Sequence, residues 1–524
     1  MLKWGDSDIL DGCHKLRGTQ SVLPFLPLTS REMQLQYQSS FSANDDILVC
    51  PVFFNKKKPE LTKYPKALQN IIRNLLKNKQ LEEKEGSMFE LPLAIPRFPK
   101  FLIAVSLGEE AKLKEAIVRT NIAGAVKVSR NLKKKTMTIM MPEELNKYAR
   151  VIGEAVVMSN HLVGRYKTGK LLEEDKKRLV GTLSIITSSK GTIDADIRKG
   201  MAVGEIVNTT RDLVNDPPNV LNAKTLAEYG RKIAKDNNFK YQIFEKKDLE
   251  KMKMGAILAV NRAATAPEDE ARFVVLEYMP NKNEKPIAFI GKGIIFDTGG
   301  YDLKPSRHMA DMQMDMAGAS VVFGIFSLIK KLGIKHNVIG LAPITANLVG
   351  PGAYKSSDVI TSYSGKTIEI TNTDAEGRVV LCDAISYAVK HYQPKQIIDI
   401  ATLTGACCVA LGDRYAGMMG TDKKTMKLLR KAGRQTDELV WPLPIHPDYE
   451  AKMKSKIADI RNSEDGYYAG AQKGAAFLKA FVEKTPWIHL DIAGTAFTSD
   501  PKRYESMMAT GYGVRLLTTY LENL

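Results

Sequence analysis

Two stretches of the chain concentrate residues able to do chemistry. The first runs Gly291-Lys-Gly-Ile-Ile-Phe-Asp-Thr-Gly-Gly-Tyr-Asp-Leu-Lys-Pro305 and continues through Met312 to Gly318. The second is Asn372-Thr-Asp-Ala-Glu-Gly-Arg378. In an extended loop, residues two apart point the same way, so Asp374 and Glu376 share a side. Gly377 is expected to give a tight turn into the next helix. Several familiar chemistries fail here. Gly291 and Gly293 begin a dinucleotide-type glycine pattern, but Phe296 stands at its third glycine. Gly365-Lys366-Thr367 resembles the end of a phosphate loop, with Ile360 where its first glycine belongs. There is no H-E-x-x-H and no G-x-S-x-G, and the seven histidines are scattered. What remains is a carboxylate-rich site for divalent cations, whose hard oxygen ligands suit two-metal hydrolysis. The plainer alternative is solvated or helix-capping acids.

These residues need elements to hold them. Ile287–Ile290, Ile294–Phe296, Asn337–Leu341, Thr367–Ile370 and Gln396–Ala401 read as apolar strands, with helices over Gly318–Leu332 and Arg378–Tyr392. Near-continuous apolar strands between helices predict an α/β sheet covered on both faces, with its site beyond the strands' carboxyl ends. A helix over Asp194–Val214, only loosely periodic, stops at Asn215-Asp216-Pro217-Pro218 and links two regions. Residues 1–188 are lysine-rich, with strands at Asp46–Phe54 and Phe101–Leu107, a helix at Tyr64–Leu76 and no chemical motif. The division expected is 1–188 as a smaller N-terminal α/β domain, 189–214 as linking helix, and 215–524 as a larger catalytic α/β domain with a central mixed sheet.

The chain has 524 residues, 44% hydrophobic and 26% charged, which argues against dominant disorder. No run of about 18 uncharged apolar residues occurs, so no membrane span is expected. Met1–Gln20 has no apolar core, and Val22–Leu28 is broken by Pro24 and Pro27, so no secretory signal is expected. Cys13, Cys50, Cys382, Cys407 and Cys408 form no disulfide framework, and a reducing compartment is the simplest reading. The net charge of +17 raises nucleic-acid binding as an alternative or added role. Its basic runs are short and not interleaved with aromatics, and solvated lysine-rich faces are the plainer account.

Asn372–Arg378 resembles the signature of the leucine aminopeptidase family, the two-metal cytosol aminopeptidases. Gly291–Pro305, Asp399-Ile-Ala-Thr-Leu-Thr-Gly-Ala406 and His489-Leu-Asp-Ile-Ala-Gly-Thr495 support it. The resemblance spans about Asn215 to the end. It implies that Lys292, Asp297, Asp315, Asp374 and Glu376 hold two divalent ions (Zn²⁺, or Mn²⁺, Mg²⁺ or Co²⁺). It further implies that Lys304 and Arg378 are the catalytic residues that bind no metal, and that Arg378 holds a bicarbonate acting as proton shuttle. A water activated by the metals would attack the first peptide bond of a substrate with a free amino terminus, releasing one residue. Lys292 would ligate as a neutral amine, and Lys304 would stay charged to stabilise the oxyanion. Met312, Thr402, Gly405 and Ala496 match the side-chain pocket, suited to Leu, Met and similar residues. His489 and Asp491 read as structural. The resemblance also implies a cytoplasmic homohexamer acting on peptides. Thr298 and Asp302 depart from the pattern, and Asp302 is expected to add negative charge near the site.

Overall fold

The structure is a computed structural model that describes residues 33–464, 466 and 468–524. Met1–Gln20, Val22–Leu28 and Cys13, on which some expectations fall, lie outside the described residues.

The first region is built on a seven-stranded sheet: β1 (Gln34–Gln38), β2 (Ile47–Asn55), β3 (Lys58–Glu60), β4 (Met88–Pro92), β5 (Phe101–Glu109), β6 (Thr136–Met140) and β7 (Thr182–Ile186). Its order is β1-β7-β6-β2-β5-β4, with β3 paired to β2. The inner strands are parallel and buried on both faces. Ile47 and Val49 point to one core and Leu48 and Cys50 to the other, as the two-residue repeat of a strand demands. Helix α1 (Lys66–Lys77) covers one face, and α2 (Glu115–Asn131) and α3 (Ala149–Ser159) the other.

Helix α4 (Lys190–Asn215) follows. It is not an exposed linker. Ile193, Ile197 and Met201 belong to the first region's core, whereas Val203, Val207, Leu213 and Val214 belong to the second's. One helix serving two cores has no single apolar stripe, which is why its periodicity is loose.

The second region carries, in chain order, β8 (Lys240–Glu245), β9 (Arg272–Tyr278), β10 (Ile287–Gly291), β11 (Gly293–Asp297), β12 (Val338–Asn347), β13 (Val359–Thr361), β14 (Thr367–Glu369), β15 (Gln396–Ala401), β16 (Tyr415–Gly420), β17 (Leu439–Pro442), β18 (Ile460–Arg461) and β19 (Trp487–Asp491). The main sheet is mixed, ordered β17-β16-β19-β15-β10-β12-β9-β8, with β11 continuing alongside β12. Strands β12, β10, β15 and β19 run parallel at its centre. Contrary to the sequence expectation, β14 is not part of this sheet. It sits in a separate three-stranded sheet, β13-β14-β18, too short and half-exposed to be a central strand.

Helices α5 (Ala317–Leu328), α6 (Glu376–Tyr392), α7 (Gly405–Leu411), α8 (Lys423–Thr436), α9 (Gly470–Lys479) and α10 (Val514–Glu522) surround the main sheet. Helices α5 and α10 pack on one face and α6 and α9 on the other. Every central strand therefore buries both faces. No helix among the described residues is long and apolar enough to cross a membrane.

Candidate metal centre and active site

The site residues sit where the parallel strands end. Lys292 fills the gap between β10 and β11 and is pinned on both sides: its N–H donates to the Ile400 carbonyl (3.1 Å) and its carbonyl accepts from Ala319 N–H (2.9 Å). A Cβ on Gly318 would lie 2.1 Å from the Ile400 carbonyl oxygen and 2.7 Å from Lys292 N, so only glycine lets α5 start this close to the sheet. Asp297 closes β11, and Asp315 lies in the short turn Met312–Met316 that leads into α5. Asp374 and Glu376 lie in the turn that opens α6.

The five residues read as ligands converge. Lys292 Nζ lies 2.8 Å from Asp315 Oδ2 and 2.8 Å from Glu376 Oε1, and donates to the Thr402 carbonyl at 3.0 Å. Carboxylate oxygens of Asp297, Asp374 and Glu376 all lie within 4.8 Å of one another. Lys304 Nζ lies 2.8 Å from Asp297 Oδ2 and 2.5 Å from Asp374 Oδ1. All but Asp374 and Lys304 are buried. Gly377 serves a different purpose from the one expected. Its backbone is ordinary helix, but a Cβ there would sit 2.6 Å from Lys292 Cε and 2.7 Å from Nζ. The glycine makes room for the lysine.

Electrostatics follow from this crowding. Burial, with Asp297 next in weight, pushes the Glu376 carboxyl up to about 8. Burial also raises Asp315, to about 6, and Asp374, against the pull of the lysines. Burial would lower Lys292, but Asp315, Glu376 and Asp297 outweigh it and hold the ammonium charged, well above its ordinary value. Lys304 is raised likewise by Asp297, Glu376 and Asp374. Ligation by Lys292 as a neutral amine therefore requires positive charge at the site to reverse the direction its carboxylate neighbours impose.

The donor set fits divalent ions. Four carboxylates and one amine converge, and Glu376 Oε2 is buried with no hydrogen-bond partner among the described residues. Arg378 fits an anion. It is buried, its Nη1 donates to the Asn462 carbonyl at 3.1 Å, and its Nε has no partner among the described residues. No described carboxylate lies within ion-pairing distance of it, so it is not spent on a structural salt bridge there.

The pocket residues are more dispersed in role. Thr402 is buried, and its hydroxyl donates to Asp315 Oδ1 at 2.7 Å, so it orients a carboxylate. Met312 is half-buried at the start of its turn. Gly405 is exposed at the first position of α7 and faces open space. Ala496 is buried in the core of the second region. His489 and Asp491 are fully buried; His489 Nδ1 meets Asp399 Oδ1 at 2.5 Å, and Asp491 accepts from Thr404 Oγ1 at 2.6 Å.

Asp302 is tied into the site's hydrogen bonds as well as charged. Its Oδ2 accepts from Thr373 N–H (2.6 Å), Thr373 Oγ1 (3.0 Å) and Ser356 Oγ (3.0 Å). It ties the Lys304 loop to the Asp374 turn. Thr298 keeps the hydroxyl function, donating to the Asn347 carbonyl. Sequence reasoning missed Asn347, Tyr354 and Asn462. Asn347 Nδ2 donates to Asp297 Oδ1 at 2.8 Å and to the Thr373 carbonyl at 3.1 Å, and Tyr354 Oη donates to the same carbonyl at 2.7 Å. The one signal for Asn347 is a polar residue ending a long apolar strand.

Cys50, Cys382, Cys407 and Cys408 are free, and burial raises all four thiols, Cys408 to about 11.

Comparisons with known proteins agree with this geometry. Residues 208–518 match the profile described as the cytosol aminopeptidase family, catalytic domain, and residues 49–170 match that family's N-terminal domain. A probable cytosol aminopeptidase of Protochlamydia amoebophila is 36% identical over 91% of this chain and 96% of its own length. One from Rhodopirellula baltica is 45% identical over 62% of this chain and 64% of its own. Among solved structures, the bottromycin maturation enzyme BotP in complex with Mn is similar with a TM-score of 0.79 and 26% identity, covering 91% of this chain and 99% of that one. With the catalytic profile spanning more than half its length and the fold in agreement, the chain belongs to the cytosol aminopeptidase family of metallo-aminopeptidases.

Proposed function

We propose that this protein is a leucyl-type aminopeptidase that removes single residues, Leu, Met and similar, from peptides with a free amino terminus. The observation that carries this reading is the interleaving of two lysines with four carboxylates: Lys292 between Asp315 and Glu376, Lys304 between Asp297 and Asp374. Lys292, Asp297, Asp315, Asp374 and Glu376 would hold two divalent ions, of which Zn²⁺ and Mn²⁺ fit the mixed amine and carboxylate set. When bound, such ions supply Lewis acidity and make water a competent nucleophile near neutral pH.

The chain's own residues do the rest. Lys304, held charged by Asp297 and Asp374, places an ammonium where negative charge develops on the scissile carbonyl oxygen. Arg378 would hold a bicarbonate-sized anion with the guanidinium donors left over from its bond to Asn462, and such an anion would supply a base beside the nucleophilic water. A free α-amino group is a ligand for a divalent ion and a blocked one is not, which would make the reaction an exopeptidase reaction. Met312, Gly405, Thr402 and Ala496 line the side-chain pocket. Gly405 faces open space and Met312 is adaptable, whereas Thr402 and Ala496 are buried.

We further read residues 215–524 as the catalytic unit and 189–214 as the joining helix. Residues 1–188 are read as a domain for assembly or regulation in a cytoplasmic homohexamer that admits short peptides. The direct test is release of leucine from leucinamide and from N-acetyl-leucinamide by protein loaded with Mn²⁺ or Zn²⁺. Turnover of the free-amine substrate, its loss on chelation and no turnover of the acetylated one are expected. An inactive metal-loaded protein, or equal turnover of both substrates, would refute the reading.

A further inference from the structure

We propose that Asn462 is a positioning residue for the aminopeptidase reaction, splinting the carboxylate turn to the guanidinium of Arg378. The proposal rests on the function read above. Asn462 follows β18, whose Ile460 and Arg461 pair with Ile368 and Glu369 of β14, and its own N–H donates to the Glu369 carbonyl at 3.0 Å. The small sheet thus delivers this residue alongside the Asp374 turn.

Its side chain is fully buried, at 0% exposure, and both halves of the amide are used. Oδ1 accepts from Thr371 N–H (2.8 Å), Thr371 Oγ1 (3.2 Å) and Asn372 N–H (3.3 Å). Nδ2 donates to the Asn372 carbonyl (2.6 Å) and reaches the Ala375 carbonyl at 3.5 Å. Asn372 passes the constraint on, because its own Oδ1 accepts from Asp374 N–H at 2.7 Å. The main-chain carbonyl of Asn462 accepts from Arg378 Nη1. One residue therefore fixes the turn with its side chain and the guanidinium with its backbone. That carbonyl is the hydrogen-bond acceptor found for Arg378 among the described residues, and α9 passes beside the guanidinium at Gly474, where an added Cβ would lie 3.4 Å from Nη2. Small displacements of a catalytic group cost rate steeply, so a residue that sets the distance between Arg378 and the carboxylates acts on turnover without touching substrate.

Replacement by alanine removes the acceptor of two half-buried N–H groups and the donor to the Asn372 carbonyl, and lets the turn move relative to Arg378. Aspartate keeps the three acceptor contacts but loses both donors. The test is a double-mutant cycle on kcat with Asn462→Ala, Arg378→Ala and the pair, measured on leucinamide at saturating metal, with metal content and melting temperature recorded for each. We expect Asn462→Ala to lower kcat about tenfold or more with KM changed by less than about threefold, and Asn462→Asp to fall between it and the parent. In the Arg378→Ala background, the same change is expected to lower kcat by less than about twofold. An equal loss in both backgrounds, or a lower melting temperature with kcat unchanged, would overturn the proposal. If Asn462→Ala does not fold, Asn462→Asp is read in the same cycle by the same criteria. An inactive parent enzyme would instead refute the functional reading.

Discussion

Lys304 and Asp374 touch each other but are expected to fail differently. Lys304→Ala removes the ammonium that faces the developing oxyanion and leaves four carboxylates in place. Its turnover should fall by about 10²–10³ with metal content unchanged. Asp374→Asn keeps the shape and loses a ligand charge, so metal content measured by mass spectrometry should fall along with activity. Gly377→Ala is a steric test, since its methyl would occupy the position of the Lys292 amine. It should depress metal binding as strongly as loss of a ligand, while the fold survives, as far-ultraviolet circular dichroism would report. At this scale the five residues read as ligands and Lys304 lie together. Their supports were invisible, because Asn347 and Asn462 act through hydrogen bonds between residues 50 and about 90 apart in sequence. Asp302 shows the same limit: its charge is legible in a sequence, but the backbone N–H it caps is not.

Helices α2 and α3 meet the second region through buried charge. Glu154 on α3 pairs with Arg119 on α2 (3.1 Å) and with Arg150 (3.2 Å), and Arg150 reaches Glu522 on α10 (2.8 Å). Arg119 also donates to the Gln435 carbonyl on α8. Burial alone would raise Glu154, but Arg119, Arg150 and Arg515 outweigh it and hold the carboxyl below its ordinary value. A depressed carboxyl contributes stability that is present above its unfolded value of about 4.3 and is lost as pH falls through the folded value. Glu154→Gln should therefore cost about 3 kcal/mol at neutral pH, leaving the guanidinium groups unpaired. The difference from the parent should shrink as melting curves are taken at pH below about 4. The elements that the sequence revealed are those with one environment: β2, β5, β10 and β15 are predominantly apolar and were placed to within a residue or two. Helix α4 showed weakly because it divides its faces between two cores. Strands β8, β9 and β16, which flank the parallel centre, were not read from the sequence, although β9 carries the apolar run Phe273–Leu276.

For the molecule as a whole, the charge of +17 has no single seat. Lys285, Lys390, Lys395 and Lys484 line a cleft of about 770 Å³ at the end of the sheet opposite the metal centre. Lys390 lies in the last turn of α6, where the helix dipole is negative, and Lys395 pairs with Glu284. Those lysines answer local negative charge, consistent with solvated basic faces. The positive charge that matters to the chemistry is instead buried, in Lys292, Lys304 and Arg378. Helix α6 joins the two ends, presenting Glu376 and Arg378 at its N-terminal turn, where its dipole favours anions. The main sheet's parallel centre delivers Lys292, Asp297 and Thr402 to one edge, as a covered parallel sheet does. That much was legible from apolar strands alternating with helices. The small sheet carrying Asn462 was legible only in β14, which read as a strand of the main sheet, since these strands have two or three residues each.

The most direct measurement is anomalous diffraction from crystals soaked in Mn²⁺, recorded for the parent protein and for Asp374→Asn. Two peaks are expected in the parent within coordinating reach of Lys292, Asp297, Asp315, Asp374 and Glu376, with at least one weakened in the variant. No peak at that cluster, or equal peaks in both proteins, would contradict the metal centre on which the peptidase reading stands.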